Sequence, residues 1–170
     1  KMTFKEAITE TMIQEMRRDP KVIIMGEDVG DFGGLAGTTI GIIDEFGDQR
    51  VLETPISECG FVGAAVGAAL AGYRPVLELG LADVSFVAMD QIVNQAAKIH
   101  YMFGGQVKFP ITFRTSVGGG RRVAAQHSQS PYSMFMNLAG LKMILPSTPY
   151  DMKGLLKSVI RDDNPVISFE

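Results

Sequence analysis

The chain has 170 residues, of which 46% are apolar and 21% charged, and its net charge at pH 7 is −3. This length suits one domain with a single core, because a domain of this size buries roughly 70% of the surface that its unfolded chain exposes. No basic tract is dense enough to follow a phosphate backbone, and the longest apolar run, residues 61–73, is shorter than the roughly 20 residues that span a bilayer. We therefore expect neither a nucleic acid nor a membrane partner.

The first predicted element is an amphipathic helix. Thr3-Phe4-Lys5-Glu6 matches a capping box, and apolar residues then recur on one helical stripe that stops before Pro20. Short apolar runs follow, each separated from the next by a segment long enough to hold a helix. They are 22–25, 51–52, 75–79, 110–115, 143–145 and 166–169. Strands alternating with helices predict an α/β fold, with a mostly parallel sheet of about six strands and helices on both faces.

Two glycine-rich stretches, 30–41 and 116–130, interrupt this alternation and are predicted to be loops. Neither is a nucleotide-binding fingerprint, because no GxGxxG follows a strand and no Gly-Lys-Ser/Thr occurs. One Cys and two separated His offer no zinc ligand set.

The segment around residues 57–73 predicts a helix with unusually small side chains. Ser57 is a good N-cap residue type, and Glu58 falls in the first turn. Gly63, Gly67 and Ala71, spaced four residues apart, leave one face nearly bare. We expect another helix to pack closely on that face, between chains.

The motifs of the chain resemble, in order, those of the beta chain of thiamine-diphosphate-dependent 2-oxo acid dehydrogenases, a group that includes the pyruvate, branched-chain and acetoin enzymes. They are GEDVG, FGDQRVLE, TPISE, GFVGAAVGAALAGYRPVLE, DQIVNQAAK, AAQHSQS, GLKMILPSTPYD and IRDDNPVI. The resemblance implies that residues 1–170 form the transketolase-like pyrimidine-binding domain, and that the C-terminal domain of the family is absent. The implied fold is the thiamine-diphosphate-binding fold.

The resemblance also implies a function. The expected reaction is oxidative decarboxylation of a 2-oxo acid with acyl transfer to a lipoyl group. Thiamine diphosphate would be shared with an alpha chain, which holds the diphosphate and Mg²⁺. The alpha chain and a second beta chain would belong to the same heterotetramer. The lipoyl domain of the acyltransferase component would be a further partner. The isolated chain would then be inactive. Two alternatives remain: an acetoin dehydrogenase beta chain, which cleaves a carbon–carbon bond in a hydroxyketone, and a non-catalytic assembly module.

Two residues are candidates for catalysis. Glu58 matches the glutamate that hydrogen-bonds a pyrimidine nitrogen of the cofactor; without the resemblance it would be an ordinary acid favoured by the helix dipole. The implied role needs a carboxyl that shares a proton near neutral pH, whereas a free glutamate titrates at about pH 4.3. Apolar surroundings would favour the protonated form. His127 matches a histidine that faces the active-site channel; otherwise it would be a solvated loop residue.

Three further residues are expected to contact the cofactor: Ile56, Gly80 and Val84. Relatives usually carry an aromatic residue at Val84, Gln or Met at Gly80, and Phe at Leu81. An aromatic contact is worth roughly 0.5–1.5 kcal/mol beyond its buried area, so we expect weaker cofactor binding here.

The remaining candidates are an ion site and a basic loop. Positions that bind a structural potassium ion in relatives, largely through backbone oxygens, correspond here to Ile111, Val159, Asp162 and Asn164. Arg114, Arg121 and Arg122 could dock an acidic lipoyl-bearing domain or steer an anionic substrate, or could simply be solvated.

Two residues are expected to be structural. Cys59 cannot form an internal disulfide and has no basic neighbour to activate it, so we expect it to be a small buried residue. His100 belongs to no functional motif. The lone cysteine and the absence of a signal or transit pattern near Lys1 favour a reducing, cytoplasmic setting.

Overall fold

Six strands form one parallel sheet in the computed structural model, which describes residues 1–170. The strands are β1 (Val22–Gly26), β2 (Val51–Glu53), β3 (Arg74–Leu81), β4 (Thr112–Ser116), β5 (Lys142–Ile144) and β6 (Val166–Phe169). Their spatial order is β2-β1-β3-β4-β6-β5, and every neighbouring pair is parallel. Each predicted strand overlaps one of these, and the predicted α/β fold is confirmed.

Helices lie on both faces of the sheet. They are α1 (Phe4–Arg18), α2 (Ile42–Phe46), α3 (Glu58–Leu70), α4 (Ala97–Met102), α5 (Tyr132–Phe135) and α6 (Pro149–Arg161). A 3₁₀ turn, Ala82–Phe86, follows β3, and a π-helical turn, Gln91–Ala96, leads into α4. No helix combines the length and the hydropathy needed to cross a membrane.

The structure has two hydrophobic cores, one between the helices and each face of the sheet, rather than the single core expected from the length. Side chains alternate along each strand, so Ile23 and Met25 pack into the core under α3, whereas Val22 and Ile24 pack into the core under α1 and α6. The start of α1 is fixed by the predicted capping box: the Thr3 N–H donates to Glu6 Oε2 at 2.7 Å, and the Glu6 N–H donates to Thr3 Oγ1 at 3.2 Å.

Helix α3 begins at Glu58 as expected, although the Ser57 side chain makes no capping hydrogen bond. Its larger side chains, including Phe61 and Val66, are buried against the sheet. The opposite face is open: Ala71 is exposed, and a Cβ atom added at Gly67 would have no neighbour within 4 Å. Gln91 covers this face only at Gly63, where an added Cβ atom would lie 3.3 Å from Gln91 Oε1, so packing of the rest of the face against another chain stays a prediction.

The direction of the chain through the sheet reverses between β1 and β3. From β1 it moves outward to β2 at the edge and then crosses back over β1 to β3. Open α/β sheets bind ligands at such a reversal, in the crevice beyond the carboxyl ends of the strands. Both glycine-rich stretches lie at these carboxyl ends, and they form turns and loops as predicted.

Candidate active site

A cavity of about 210 Å³ lies between the carboxyl ends of β1 and β3. It includes Glu27 from the end of β1, Glu78 and Gly80 from β3, Val84 from the 3₁₀ turn, and His127 from the second glycine-rich loop. A neighbouring cavity of about 410 Å³ shares Val84 and His127. Three of the predicted site residues, Gly80, Val84 and His127, are thus brought together at the reversal of the chain.

Gly80 shapes the wall of this cleft. The pairing register between β3 and β4 shifts between Glu78 and Leu81, and Gly80 adopts a positive φ of 61° within the shift. Side chains other than glycine rarely accept this conformation. The strand therefore bulges at Gly80 and leads directly into the 3₁₀ turn that carries Val84, whose side chain is half-buried.

Glu58 and Ile56 line neither cavity, but the charge of Glu58 acts on Glu27, which lines the first one. Glu58 is the first residue of α3 and is half-buried, while Ile56, two residues earlier, is 83% exposed. The Glu27 Oε1 atom is buried and has no hydrogen-bond partner. Burial raises the pKa of Glu27, and the negative charges of Glu58 and Asp28 raise it further. The cleft thus contains a buried, unpartnered carboxyl oxygen at Glu27, close enough to Glu58 for the charge of Glu58 to act on it.

The sequence patterns did not indicate Glu27. A signal was present, because this acid directly follows the predicted strand 22–25 and its glycine, and ligands of parallel sheets bind where strands end. Its position depends on Glu53 at the end of β2, whose two carboxylate oxygens accept the backbone N–H groups of Asp28 and Gly30, each at 2.6 Å. The residue that positions Glu27 is therefore 26 positions away in the chain, on the neighbouring strand.

Arg114 lies inside the protein, so its predicted role as an exposed docking or steering residue is wrong. Its guanidinium is 2% exposed and donates to Glu78 at 2.6 Å and to both oxygens of Glu170 at 2.7 and 3.0 Å. Burial opposes the charge of Arg114, but the two carboxylates outweigh it and raise the pKa of Arg114 above its usual range. Burial raises the pKa of Glu170, and the nearby charge of Glu78 acts in the same direction. Arg121 and Arg122 are exposed.

The four predicted potassium ligands lie close together beside the end of α6. The Ile111 carbonyl accepts the N–H of Val166 at 3.0 Å, and the Val159 carbonyl accepts the Thr112 hydroxyl at 3.5 Å. Asp162 Oδ1 accepts the N–H of Asn164 at 3.0 Å. Arg74 donates to the carbonyls of Ile160 and Asp162 at 3.1 and 3.0 Å, so carbonyl oxygens here already attract one cation. The structure has no group of three or more His, Cys, Asp or Glu side chains that could hold a metal ion.

Two other expectations were tested by the structure. Cys59 was predicted to be buried, and this is wrong: it is exposed on α3, because the helix turns Phe61 and Val62 rather than Cys59 toward the sheet. His100 lies in α4, and its ring Nδ1 lies 2.8 Å from the Val107 carbonyl oxygen, in line with a structural role.

Comparisons with known proteins agree with this architecture. The model of the family described as the transketolase pyrimidine-binding domain matches residues 1–170. The chain is 48% identical to the beta subunit of acetoin:2,6-dichlorophenolindophenol oxidoreductase from Bacillus subtilis, over 99% of the chain and 53% of that protein. It is 50% identical to the pyruvate dehydrogenase E1 component subunit beta of Rickettsia bellii, over 99% and 52%, and 45% identical to the 2-oxoisovalerate dehydrogenase subunit beta of Bacillus subtilis, over 99% and 52%.

Among solved structures, a split-gene transketolase described as an inactive beta4 tetramer superposes with a TM-score of 0.78 at 16% identity, over 99% of this chain and 51% of that one. At that identity the likeness shows the fold alone. The chain spans about half the length of the curated relatives it matches.

Proposed function

This chain belongs to the transketolase pyrimidine-binding domain family, and from that premise we propose that it supplies half of a thiamine-diphosphate site in a 2-oxo acid dehydrogenase. The observation that carries the proposal is the buried carboxyl oxygen of Glu27, which has no hydrogen-bond partner, in a cleft where the sheet reverses and within electrostatic reach of Glu58. Curated relatives of this chain are named as beta subunits of pyruvate, 2-oxoisovalerate and acetoin enzymes.

The cleft suits the ring end of the cofactor. Its volume of about 210 Å³ is below the roughly 300–1,000 Å³ of pockets that enclose a whole ligand. Leu35, Leu81 and Val84 give it an apolar wall, against which a flat heterocycle can pack. The diphosphate and its Mg²⁺ are assigned to the alpha chain, so we expect calorimetric titration of this chain alone with thiamine diphosphate and Mg²⁺ to show no binding in the micromolar range.

In this proposal the acidic residues of this chain hold protons beside the cofactor ring. When bound, thiamine diphosphate supplies the nucleophilic carbon and accepts the electrons that decarboxylation releases. Glu58 holds a proton at a pyrimidine nitrogen. Burial and the negative charges of Glu58 and Asp28 raise the pKa of Glu27, so Glu27 keeps its proton to a higher pH than an isolated glutamate would. Gly80 and Val84 line the cleft and exclude water from the ring, Ile56 contacts the cofactor from outside the cleft, and His127 lies toward the acyl acceptor.

The partners and the potassium ion belong to the same proposal. The exposed Gly67 face of α3 packs against another chain of an alpha–beta heterotetramer, and the lipoyl domain of the acyltransferase component delivers the acceptor. Backbone oxygens of Ile111, Val159, Asp162 and Asn164 would hold a potassium ion, whose charge would stabilise these carbonyl groups beside the end of α6.

The experiment that tests the proposal is a turnover assay of the full protein with its alpha partner. Glu58→Gln should lower turnover by about 10² to 10⁴, the usual contribution of a positioned acid–base group. Glu45→Gln, which removes an exposed acid of α2, serves as the control and should leave turnover unchanged. Unchanged turnover of Glu58→Gln in an intact assembly would reject the assignment.

A second candidate function is acetoin cleavage, because the chain is as similar to an acetoin enzyme subunit, at 48% identity, as to pyruvate dehydrogenase subunits. Pyruvate, a branched 2-oxo acid and acetoin should be compared as substrates with one artificial electron acceptor. A preference for acetoin by kcat/KM would select the second candidate. Failure with all three would favour a non-catalytic assembly module.

A further inference from the structure

The loop that carries His127, residues 118–130, is named the His127 loop and is closed at its base by backbone contacts. The Gly118 N–H donates to the Gln129 carbonyl at 2.9 Å, so the two arms of the loop meet there. They meet closely, because a Cβ atom at Gly118 would lie 2.2 Å from Ser128 Cα. The base of the loop is therefore fixed by its own backbone.

Hydrogen bonds beyond this base stay almost entirely within the His127 loop. The Val123 N–H donates to Ser128 Oγ at 2.9 Å, and the His127 N–H donates to the Ala124 carbonyl at 3.3 Å. One hydrogen bond leaves the loop: the Gln129 side-chain amide donates to Asp83 Oδ1 at 2.6 Å. Beyond its base, the loop is therefore joined to the rest of the domain by one hydrogen bond.

Asp83, which accepts that amide hydrogen bond, is a buried residue of the domain. It lies in the 3₁₀ turn next to Val84, and it is 7% exposed. Its second oxygen, Oδ2, is buried without a hydrogen-bond partner, and no lysine or arginine pairs with it. Burying a carboxylate is costly unless its oxygens are hydrogen-bonded. Losing the Gln129 amide would leave both oxygens unsatisfied, which makes the contact strong.

From this geometry we infer that Asp83 and Gln129 are positioning residues: their hydrogen bond latches the His127 loop to the turn that carries Val84. Both His127 and Val84 line the two cavities of the candidate site. The latch thus fixes the distance between Val84, in the apolar wall of the cleft, and His127. This inference deepens the proposed function and rests on it for the role of His127, whereas the latch itself is a property of the fold.

A charge exchange tests the latch without removing either side chain. Gln129→Glu places a second carboxylate against Asp83 and should release the loop. Adding Asp83→Asn restores an amide–carboxylate hydrogen bond with donor and acceptor exchanged, at the net charge of the wild type. Gln106→Glu makes the same charge change at an exposed glutamine after α4 and serves as the control.

The first measurement is limited trypsin cleavage of the full protein at Arg121 and Arg122, which are exposed within the His127 loop, followed by mass spectrometry. Gln129→Glu should speed this cleavage about tenfold or more, the factor expected for loss of a charge-assisted hydrogen bond. The double variant should return to within about threefold of the wild type. Equal cleavage in wild type and Gln129→Glu, or a double variant that is cleaved as fast as the single one, would overturn the latch.

The second measurement asks whether the latch positions His127. In the assembled enzyme, Gln129→Glu should lose at least tenfold in kcat with a lipoyl-domain acceptor, yet less than about threefold with a small soluble dye as acceptor, and the double variant should recover. An equal loss with both acceptors would mean a general structural role and would overturn the positioning claim. If the assembled wild type turns over none of the substrates, the proposed function fails, while the cleavage result still decides the latch.

Discussion

Replacing Arg114 by Met is the sharpest test of the buried ion cluster beside the cleft. The substitution keeps an unbranched side chain of similar reach but leaves Glu78 and Glu170, both 6% exposed, without their cation. At an effective dielectric constant near 20, each ion pair at about 4 Å contributes about 4 kcal/mol of Coulomb attraction. Breaking a buried pair costs about 3–5 kcal/mol once the unpaired charge is counted, and two acids are unpaired here.

A loss of about 4 kcal/mol is a large share of the roughly 5–15 kcal/mol that stabilises a typical domain. With an m value of about 2 kcal/mol/M, the urea midpoint at pH 7.5 should fall by about 2 M. The control is Arg17→Met, which breaks an exposed ion pair with Glu45 and should leave the midpoint unchanged. The triple variant Arg114→Met with Glu78→Gln and Glu170→Gln should recover most of the loss, because no buried charge remains.

The pH dependence gives a second check on the same variant. Burial raises the pKa of Glu170, and loss of the guanidinium raises it further. A carboxyl whose pKa is raised in the folded state stabilises the protein below its unfolded value, about 4.3, and that stability is lost as pH rises through the folded value. The deficit of Arg114→Met should therefore shrink as pH falls from 7.5 toward 5. A deficit no larger than that of Arg17→Met, or one that grows on acidification, would refute the reasoning.

Three further predictions concern the cleft, the open helix face and the ion site. Glu27→Gln should raise the urea midpoint at pH 7.5 but not at pH 4, because burial raises the pKa of Glu27 and its ionised form is the costly one; an equal gain at both pH values would contradict this. Gly67→Leu should not lower the urea midpoint of the chain, since the face is open and Leu is the better helix former, but should weaken assembly with the alpha partner in analytical ultracentrifugation; unchanged assembly would show that the face stays free. Potassium chloride should raise the Tm of the full protein above that in choline chloride, and Tm values that coincide would remove the ion from the proposal.

Local patterns were enough to predict the fold. The capping box at Thr3 and Glu6 and the short apolar runs act over a few residues, and the structure confirms both. The cleft contains Gly80, Val84 and His127, which the resemblance to the family indicated, because all three lie at the carboxyl ends of strands or beyond them.

Side chains whose surroundings come from distant parts of the chain were not predictable in this way. Arg114 pairs with Glu78, 36 positions away, and with Glu170, 56 positions away. The residues next to Arg114 in the sequence therefore do not indicate that it is buried. Gln129 meets Asp83 across 46 positions. Cys59 is exposed because packing of the sheet decides which face of α3 turns inward, and a helix that is apolar on nearly all sides gives little sign of that face in its sequence.

The central claim is that Glu58 activates the cofactor, and the most direct measurement is hydrogen–deuterium exchange at the thiazolium C2 of bound thiamine diphosphate. The full protein with its alpha partner is mixed with D₂O, quenched with acid and read by proton NMR. We expect exchange in Glu58→Gln to be slower than in the wild type by about 10² to 10⁴ at equal cofactor occupancy. Equal exchange rates in the two proteins, with the cofactor bound in both, would contradict the account.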